Sequence, residues 1–193
     1  MIPFPDKKYN IIYADPPWKY QDKLPKMHGG AERHYPCMAT ESIKELPVET
    51  ITMENSCLFL WSTFPFMPDA LEVITAWGFK YKTNAFTWIK RNKSDSGFWF
   101  GLGRWTRGNA EVCLFATKGK PTRVNNSISQ LIFAPVTKHS RKPPEVRAEI
   151  VNLLGDIPRI ELFARQKVEG WDSIGFDIDG CDIRESLDKL VTL

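Results

Sequence analysis

Among its 193 residues the chain has only four cysteines and three histidines. Cys37, Cys57, Cys113 and Cys181 stand far apart, with no C-x-x-C pair, so neither structural zinc nor a disulfide framework is expected. Two of them fall in apolar, strand-like runs, where a reduced thiol packs as a small hydrophobe. His28, His34 and His139 are isolated and have no visible nucleophile partner, which leaves them as solvated loop residues rather than catalytic ones. No metal is called for. Long hydrophobic runs are missing as well: Cys57-Leu58-Phe59-Leu60-Trp61 is strand-sized, far short of the ~18 residues that span a bilayer. The start, Met1-Ile2-Pro3-Phe4-Pro5-Asp6-Lys7-Lys8, lacks the basic and then apolar pattern of a secretion signal, so a cytoplasmic protein with no membrane association is expected. Gly97, Gly101 and Gly103 miss the G-x-G-x-x-G spacing of a dinucleotide loop, and no apolar strand leads into them.

With 42% hydrophobic and 25% charged residues, the chain can bury a core, and its length suits a single domain over residues 1–193. A net charge of +3 hides an asymmetry. Between Lys80 and Lys142, 13 Lys and Arg face only Asp95 and Glu111, a net +11, while the remainder carries −8. Trp88, Phe98, Trp99, Phe100 and Trp105 are interleaved with these basic residues. That mixture reads either as a nucleic-acid face, on which aromatics stack or wedge, or as a solvated surface over core aromatics.

Apolar periodicity predicts strands over residues 11–14, 57–62, 79–90, 111–117, 131–134, 159–164 and 172–176. It predicts helices over 40–46, 68–77, 143–154 and 183–191. Strand and helix alternation argues for an α/β fold, a mostly parallel sheet with helices on both faces. Two segments lack a period: a stretch at 19–39, read as a mobile loop that covers a site, and a glycine-containing basic arm at 91–108. Trp61 and Trp88 sit in apolar strands and read as core; Arg104, Trp105 and Arg107 on the arm are the better candidates for phosphate and base contact.

The sharpest local signal is Asp15-Pro16-Pro17-Trp18, expected by chance in about one chain of this length in several thousand. It follows the first strand, and ligands of open α/β sheets sit beyond the carboxyl ends of strands. Asp15 offers carboxylate oxygens, and the prolines offer carbonyls without competing N–H donors. Such a place accepts hydrogen bonds from an amino group. The exocyclic amine of adenine or cytosine is a poor nucleophile, because its lone pair is delocalised into the ring. Acceptors at Asp15 and the Pro16 carbonyl would draw its hydrogens out of plane and localise that pair, with Trp18 as the face for a flipped base.

Several pieces then follow in one order: Tyr13-Ala14-Asp15-Pro16-Pro17-Trp18, Tyr35-Pro36-Cys37-Met38, Leu58-Phe59-Leu60-Trp61, Trp77-Gly78-Phe79, Trp88-Ile89-Lys90, Glu111-Val112-Cys113-Leu114, Lys118-Gly119, Ser140-Arg141-Lys142-Pro143-Pro144-Glu145 and Ile160-Glu161-Leu162-Phe163-Ala164-Arg165. In this the sequence resembles the MT-A-seventy-like adenine-N6 methyltransferases, from Tyr13 to about Gly175. The resemblance implies a Rossmann-like methyltransferase fold, with the catalytic motif N-terminal and the cofactor strand C-terminal, and S-adenosyl-L-methionine as cofactor. It implies that the strand ending near Phe163 and Arg165 lies beside the one ending at Asp15, with cofactor across both. Lys142 matches a lysine that meets the cofactor's carboxylate, and Arg165 an arginine near its ribose. The resemblance implies that Asp15 touches both the cofactor amine and the target amine. Tyr35 matches a loop tyrosine that closes over the site, and Glu111 an acid near the acceptor nucleoside. After Gly175 the chain departs from the pattern: where relatives have an asparagine and a polar partner it has Phe176-Asp177, which leaves Asp177 as the cofactor contact there. Phe4 is a candidate for lining the cofactor adenine, and Lys167 stands where eukaryotic relatives often have histidine.

The resulting expectation is methyl transfer to adenine N6 in DNA, DNA being preferred over RNA because a compact chain looks like bacterial and phage members. RNA adenine methylation, cytosine-N4 methylation and a catalytically inactive nucleic-acid-binding partner subunit are the alternatives. Lys142 precedes Pro143-Pro144, where positive charge opposes a helix dipole. Its replacement by an apolar residue is therefore expected to weaken cofactor binding while fold stability holds or rises.

Overall fold

Pro16 and Pro17 stop the first strand because neither has an N–H to give a ladder, and the place of that strand in the sheet fixes the place of the site. The computed structural model describes residues 7–19, 37–103, 105–137 and 141–191. In chain order it contains β1 (Tyr9–Ala14), α1 (Thr40–Lys44), β2 (Thr52–Ser62), α2 (Met67–Ala76), β3 (Lys80–Arg91), β4 (Ala110–Lys118), β5 (Leu131–Pro135), α3 (Glu145–Leu154), β6 (Arg159–Leu162), β7 (Asp172–Ile174), α4 (Phe176–Asp179) and α5 (Ile183–Val191).

The strands form one sheet in the order β5-β3-β4-β2-β1-β6-β7. Strand β1 lies between β2 and β6 and is parallel to both. Only β4 runs against its neighbours, β2 and β3. The reason lies in the connections: the described part of the 92–109 arm carries no helix to serve as a crossover, and adjacent strands joined without one pair antiparallel. Chain order reverses at β1, since β2 follows on one side and β6 returns on the other after α3. That reversal makes the carboxyl ends of β1 and β6 a topological switch point, where doubly wound sheets bind their ligands.

Side chains alternate with period two and feed two cores. Ile12, Ala14, Leu58, Leu60, Ile160 and Leu162 pack with Ile43 of α1, Val73 and Ile74 of α2 and Leu187 of α5. Ile11, Tyr13, Cys57, Phe59, Trp61 and Cys113 pack with Val146, Ile150 and Leu154 of α3 on the other face. Helices thus cover both faces, as the sequence predicts for this Rossmann-like sheet.

Element ends differ from the expected ones in instructive places. Strand β2 begins five residues before its apolar run, because Met53, Glu54 and Asn55 form an exposed end of the strand that carries no hydrophobic signal. Strand β7 stops at Ile174. A Cβ on Gly175 would lie 2.6 Å from both the N and O atoms of Ala164, so the backbones pack there at a distance only glycine permits. The short α4 takes Phe176, the last residue of the predicted strand, and otherwise lies outside the predicted elements.

Candidate active site

Ala14 is level with Leu60 of β2 and Leu162 of β6, so Asp15, Trp61 and Phe163 each come one residue later on three adjacent strands. Because β4 is reversed, its first residues reach this same edge: Glu111 pairs across from Trp88, with Lys90 two residues further along β3. Lys142 lies just ahead of α3. Four charged side chains from four segments therefore meet, although at most two of them are near in sequence.

Lys142 Nζ lies 2.7 and 2.8 Å from the two carboxylate oxygens of Asp15 and 3.2 Å from Glu111 Oε2. Lys90 Nζ donates to the other Glu111 oxygen at 2.5 Å. The result is an alternating ladder, Asp15, Lys142, Glu111, Lys90, with no net charge. All four are largely withdrawn from water, their side chains being 8–17% exposed. Burial works against the Lys142 charge, but Asp15 and Glu111 outweigh it and hold its pKa above that of an ordinary lysine. Burial likewise opposes the Glu111 charge, and Lys142 and Lys90 more than offset it, so Glu111 ionises more readily than a free glutamate.

Beneath the ladder lies a layer of aromatic rings. The Lys142 ammonium stands 5.4 Å over Trp61 and that of Lys90 5.0 Å over Trp88, both within cation–π range. Trp61 Nε1 donates to the Tyr13 hydroxyl at 2.7 Å, which fixes the indole plane. Next to Tyr13, Arg147 of α3 makes a buried two-pronged pair with Glu161 of β6 at 2.7 and 2.6 Å. Burial raises the Glu161 pKa despite Arg147.

The Asp15-Pro16-Pro17-Trp18 segment is tightly held. Trp18 N–H donates to the Pro16 carbonyl at 2.9 Å, Met38 N–H to the Pro17 carbonyl at 2.8 Å, and Lys19 N–H to the Met38 carbonyl at 3.1 Å. Trp18 itself is 7% exposed. Its ring stacks on Phe66 with centroids 5.5 Å apart, and its Nε1 donates to the Trp61 carbonyl at 3.2 Å.

The structure thus brings Asp15, Pro16, Pro17, Trp18, Lys142 and Glu111 together. Phe163 stands at the end of β6 with φ +60, a conformation a bulky residue adopts only under constraint. Arg165 is half-buried, and Asp177 is exposed in the first turn of α4. Trp105 is 94% exposed and Arg107 exposed on the arm. Tyr35, Arg104, Phe4 and the three histidines lie outside the described residues, as does most of the 19–39 loop.

Two expectations are corrected. Trp18 does not offer an open face to a flipped base, because its ring is buried against Phe66. Lys142 is not a poorly placed charge whose loss leaves stability unchanged or raises it; it is a buried ammonium between two carboxylates, and its loss takes from Asp15 its partner in the ladder and leaves Glu111 with Lys90. Lys90, Tyr13, Arg147 and Glu161 have no site role legible in the sequence, where Trp61 and Trp88 read as core alone. Both tryptophans are core, yet each also seats a lysine. The only signal for Lys90 was its place in Trp88-Ile89-Lys90, since its contact depends on the β3–β4 register.

A mostly parallel sheet that holds an Asp-Pro-Pro-Trp segment and a facing lysine at its switch point is the architecture of a Rossmann-like methyltransferase. The chain belongs to the MT-A70 family, whose model matches residues 9–177, and it is an S-adenosylmethionine-dependent adenine-N6 methyltransferase. The type II methyltransferase M.MunI of Mycoplasma sp. is 35% identical over 192 residues, covering 90% of this chain and 79% of that protein. The N(6)-adenosine-methyltransferase MT-A70-like protein of Arabidopsis thaliana is 30% identical over 89% of this chain. The N(6)-adenosine-methyltransferase catalytic subunit METTL3 of Homo sapiens is 29% identical over 90% of it. The chain spans only 24% and 29% of the lengths of those two proteins. Among the described residues, no helix is long and apolar enough to cross a membrane.

Proposed function

We propose that the chain methylates adenine N6 in DNA within the cytoplasm, acting as one domain over residues 1–193, with the 19–39 loop over the site and the 91–108 arm on nucleic acid. The observation that carries this reading is the convergence of Asp15, Glu111 and Lys142 at the end of β1. The donor set suits the cofactor. Lys142 stands by the start of α3, a place that attracts anions, and would hold the methionine carboxylate; Asp15 would meet its amino group. Phe163, Arg165 and Asp177 line the way toward its adenosine end. When bound, S-adenosylmethionine supplies the methyl group that is attacked.

The chain's own residues do the rest. Asp15 and the second lone pair of the Pro16 carbonyl accept the amine hydrogens, which localises the nitrogen lone pair for direct displacement with no covalent enzyme intermediate. The amine becomes acidic as it is alkylated, and its proton passes to Asp15 or to water. The backbone bonds to Met38 hold the acceptors in place before reaction, so little reorganisation is left for the transition state. Glu111, Tyr35, Arg104, Trp105 and Arg107 would contact the acceptor strand. Trp18, buried on Phe66, contributes one edge to this pocket and locks the turn.

DNA is favoured over RNA because a type II methyltransferase is matched over most of its length, whereas the N(6)-adenosine-methyltransferases are matched over less than a third. The test is to incubate the protein with labelled cofactor and either DNA or RNA, and to identify the modified nucleoside by mass spectrometry. N6-methyladenine in DNA is the expected product. Label in RNA alone, N4-methylcytosine, or no transfer at all would each replace the reading.

A further inference from the structure

The ladder has a member to which the proposed chemistry gives no role. Lys90 never reaches Asp15, yet its side chain is only 17% exposed and its ammonium is spent on Glu111. A lysine withdrawn this far from water loses hydration that a surface ion pair does not repay. Its main chain is fixed as well: Lys90 N–H donates to the Asn109 carbonyl at 2.9 Å, and its own carbonyl accepts from Trp99 N–H at 2.8 Å. The base of the arm and the Trp88 ring therefore set where the ammonium stands.

We propose that Lys90 is a positioning residue for methyl transfer: it grips one oxygen of Glu111, keeps that carboxylate ionised, and turns the other oxygen toward Lys142 and the acceptor amine. This rests on the reading that Glu111 faces the acceptor. The electrostatics require a fourth member. Without Lys90, Asp15 and Glu111 share the single ammonium of Lys142, and the buried group carries one net negative charge. Such a pair of carboxylates relieves itself by taking up a proton. Among the described residues, the charged groups around Glu111 are Lys90 from β3, Lys142 from the segment before α3 and, through Lys142, Asp15 after β1. The nearby Cys113 thiol stays neutral, burial pushing its pKa well above the ordinary value. Protonation of Glu111 would remove an acceptor, and protonation of Asp15 would remove the residue on which the reaction depends.

The experiment compares the unaltered protein with Lys90→Met and Lys90→Arg. The Glu111 carboxyl is followed by carbon NMR of glutamate-labelled protein, its resonance being assigned from Glu111→Gln. In Lys90→Met the Glu111 titration should move up by about one pH unit or more, the acid limb of kcat/KM should move up with it, and cofactor affinity should stay within about threefold. Lys90→Arg should restore both profiles, which a merely structural gap would not predict. An unchanged Glu111 titration in a folded Lys90→Met variant overturns the proposal, as does an unchanged acid limb. If Lys90→Met does not fold, Lys90→Gln takes its place under the same criteria. The carboxyl titration needs no acceptor strand, so a protein that methylates neither polymer fails the acceptor reading separately from this one.

Discussion

Replacing Lys142 with methionine keeps most of the side-chain volume and removes one positive charge from between two carboxylates. Two losses should follow. A charge-assisted hydrogen bond is worth about 1.5–3 kcal/mol, so cofactor affinity should fall roughly 10- to 150-fold. The second loss is in stability. Removing one partner of a buried ion pair costs about 3–5 kcal/mol; here the figure should sit toward the lower end, because Asp15 and Glu111 are 17% and 14% exposed and one can take up a proton. That relief gives a pH signature. In the unaltered protein Glu111 ionises more readily than a free glutamate, so its contribution is full above about pH 4.3 and is lost as the pH falls through its lower folded pKa. In the variant burial is less opposed, the carboxylates hold protons more tightly, and acid now favours the folded state. Urea titrations at pH 7 and pH 5 should show a deficit of about 3–4 kcal/mol that narrows at the lower pH, with calorimetry reporting the affinity. Equal stability at pH 7 together with unchanged cofactor binding would refute both the ladder and the assignment of Lys142 to the cofactor carboxylate.

Asp15→Ala should abolish methyl transfer even with cofactor saturating, and near-normal turnover in that variant would sink the mechanism. Trp18→Ala should cost about 3–5 kcal/mol in a denaturation experiment, because it empties a buried aromatic site. It should also lower turnover, while Trp18→Phe keeps the stack on Phe66 and recovers most of both; equal loss in the two variants would assign the effect to the indole N–H on Trp61. Nucleic-acid binding should weaken with salt, each phosphate contact adding about −0.7 to −0.9 to the log–log slope. Arg107→Ala should make that slope shallower by about one contact, and a flat slope for the unaltered protein would take nucleic acid off the arm.

Period-two alternation made the strands legible, and Pro16-Pro17, Gly78 and Gly155 marked where elements stop. Gly78 at φ +78 and Gly155 at φ +88 occupy the left-handed backbone that ends α2 and α3. Polar strand ends stayed hidden: Thr52 pairs with Tyr9 of β1 and Ser56 with Lys118 of β4 because neighbouring strands reach that far, not because their own side chains ask for it. The Asp15 motif could be read because family resemblance and strand-end logic agreed on it, and Lys142 because the resemblance and its place before a helix did. The partners of Lys142 could not. Residues 15, 90, 111 and 142 meet only because β4 runs backward between β2 and β3, and strand direction is written in the connections rather than in the strands.

The reversal of β4 has a chemical consequence. Had β4 run with its neighbours, its other end would have reached the carboxyl edge, and Lys118, which pairs with Glu49 at 2.8 Å, would have stood there in place of Glu111. Asp15 and Lys142 would then have faced a further cation, favouring anions over an amine. With Glu111 at the edge instead, the site holds two carboxylates and two ammonium groups in alternation. An arrangement of this kind can take up a zwitterionic ligand by exchanging partners without stranding a charge. The amino-acid end of S-adenosylmethionine is such a ligand, one ammonium and one carboxylate on the same carbon. On the proposed reading the ladder would open between Asp15 and Lys142, which would hold the amino and carboxylate groups of the cofactor, while Glu111 would stay held by Lys90.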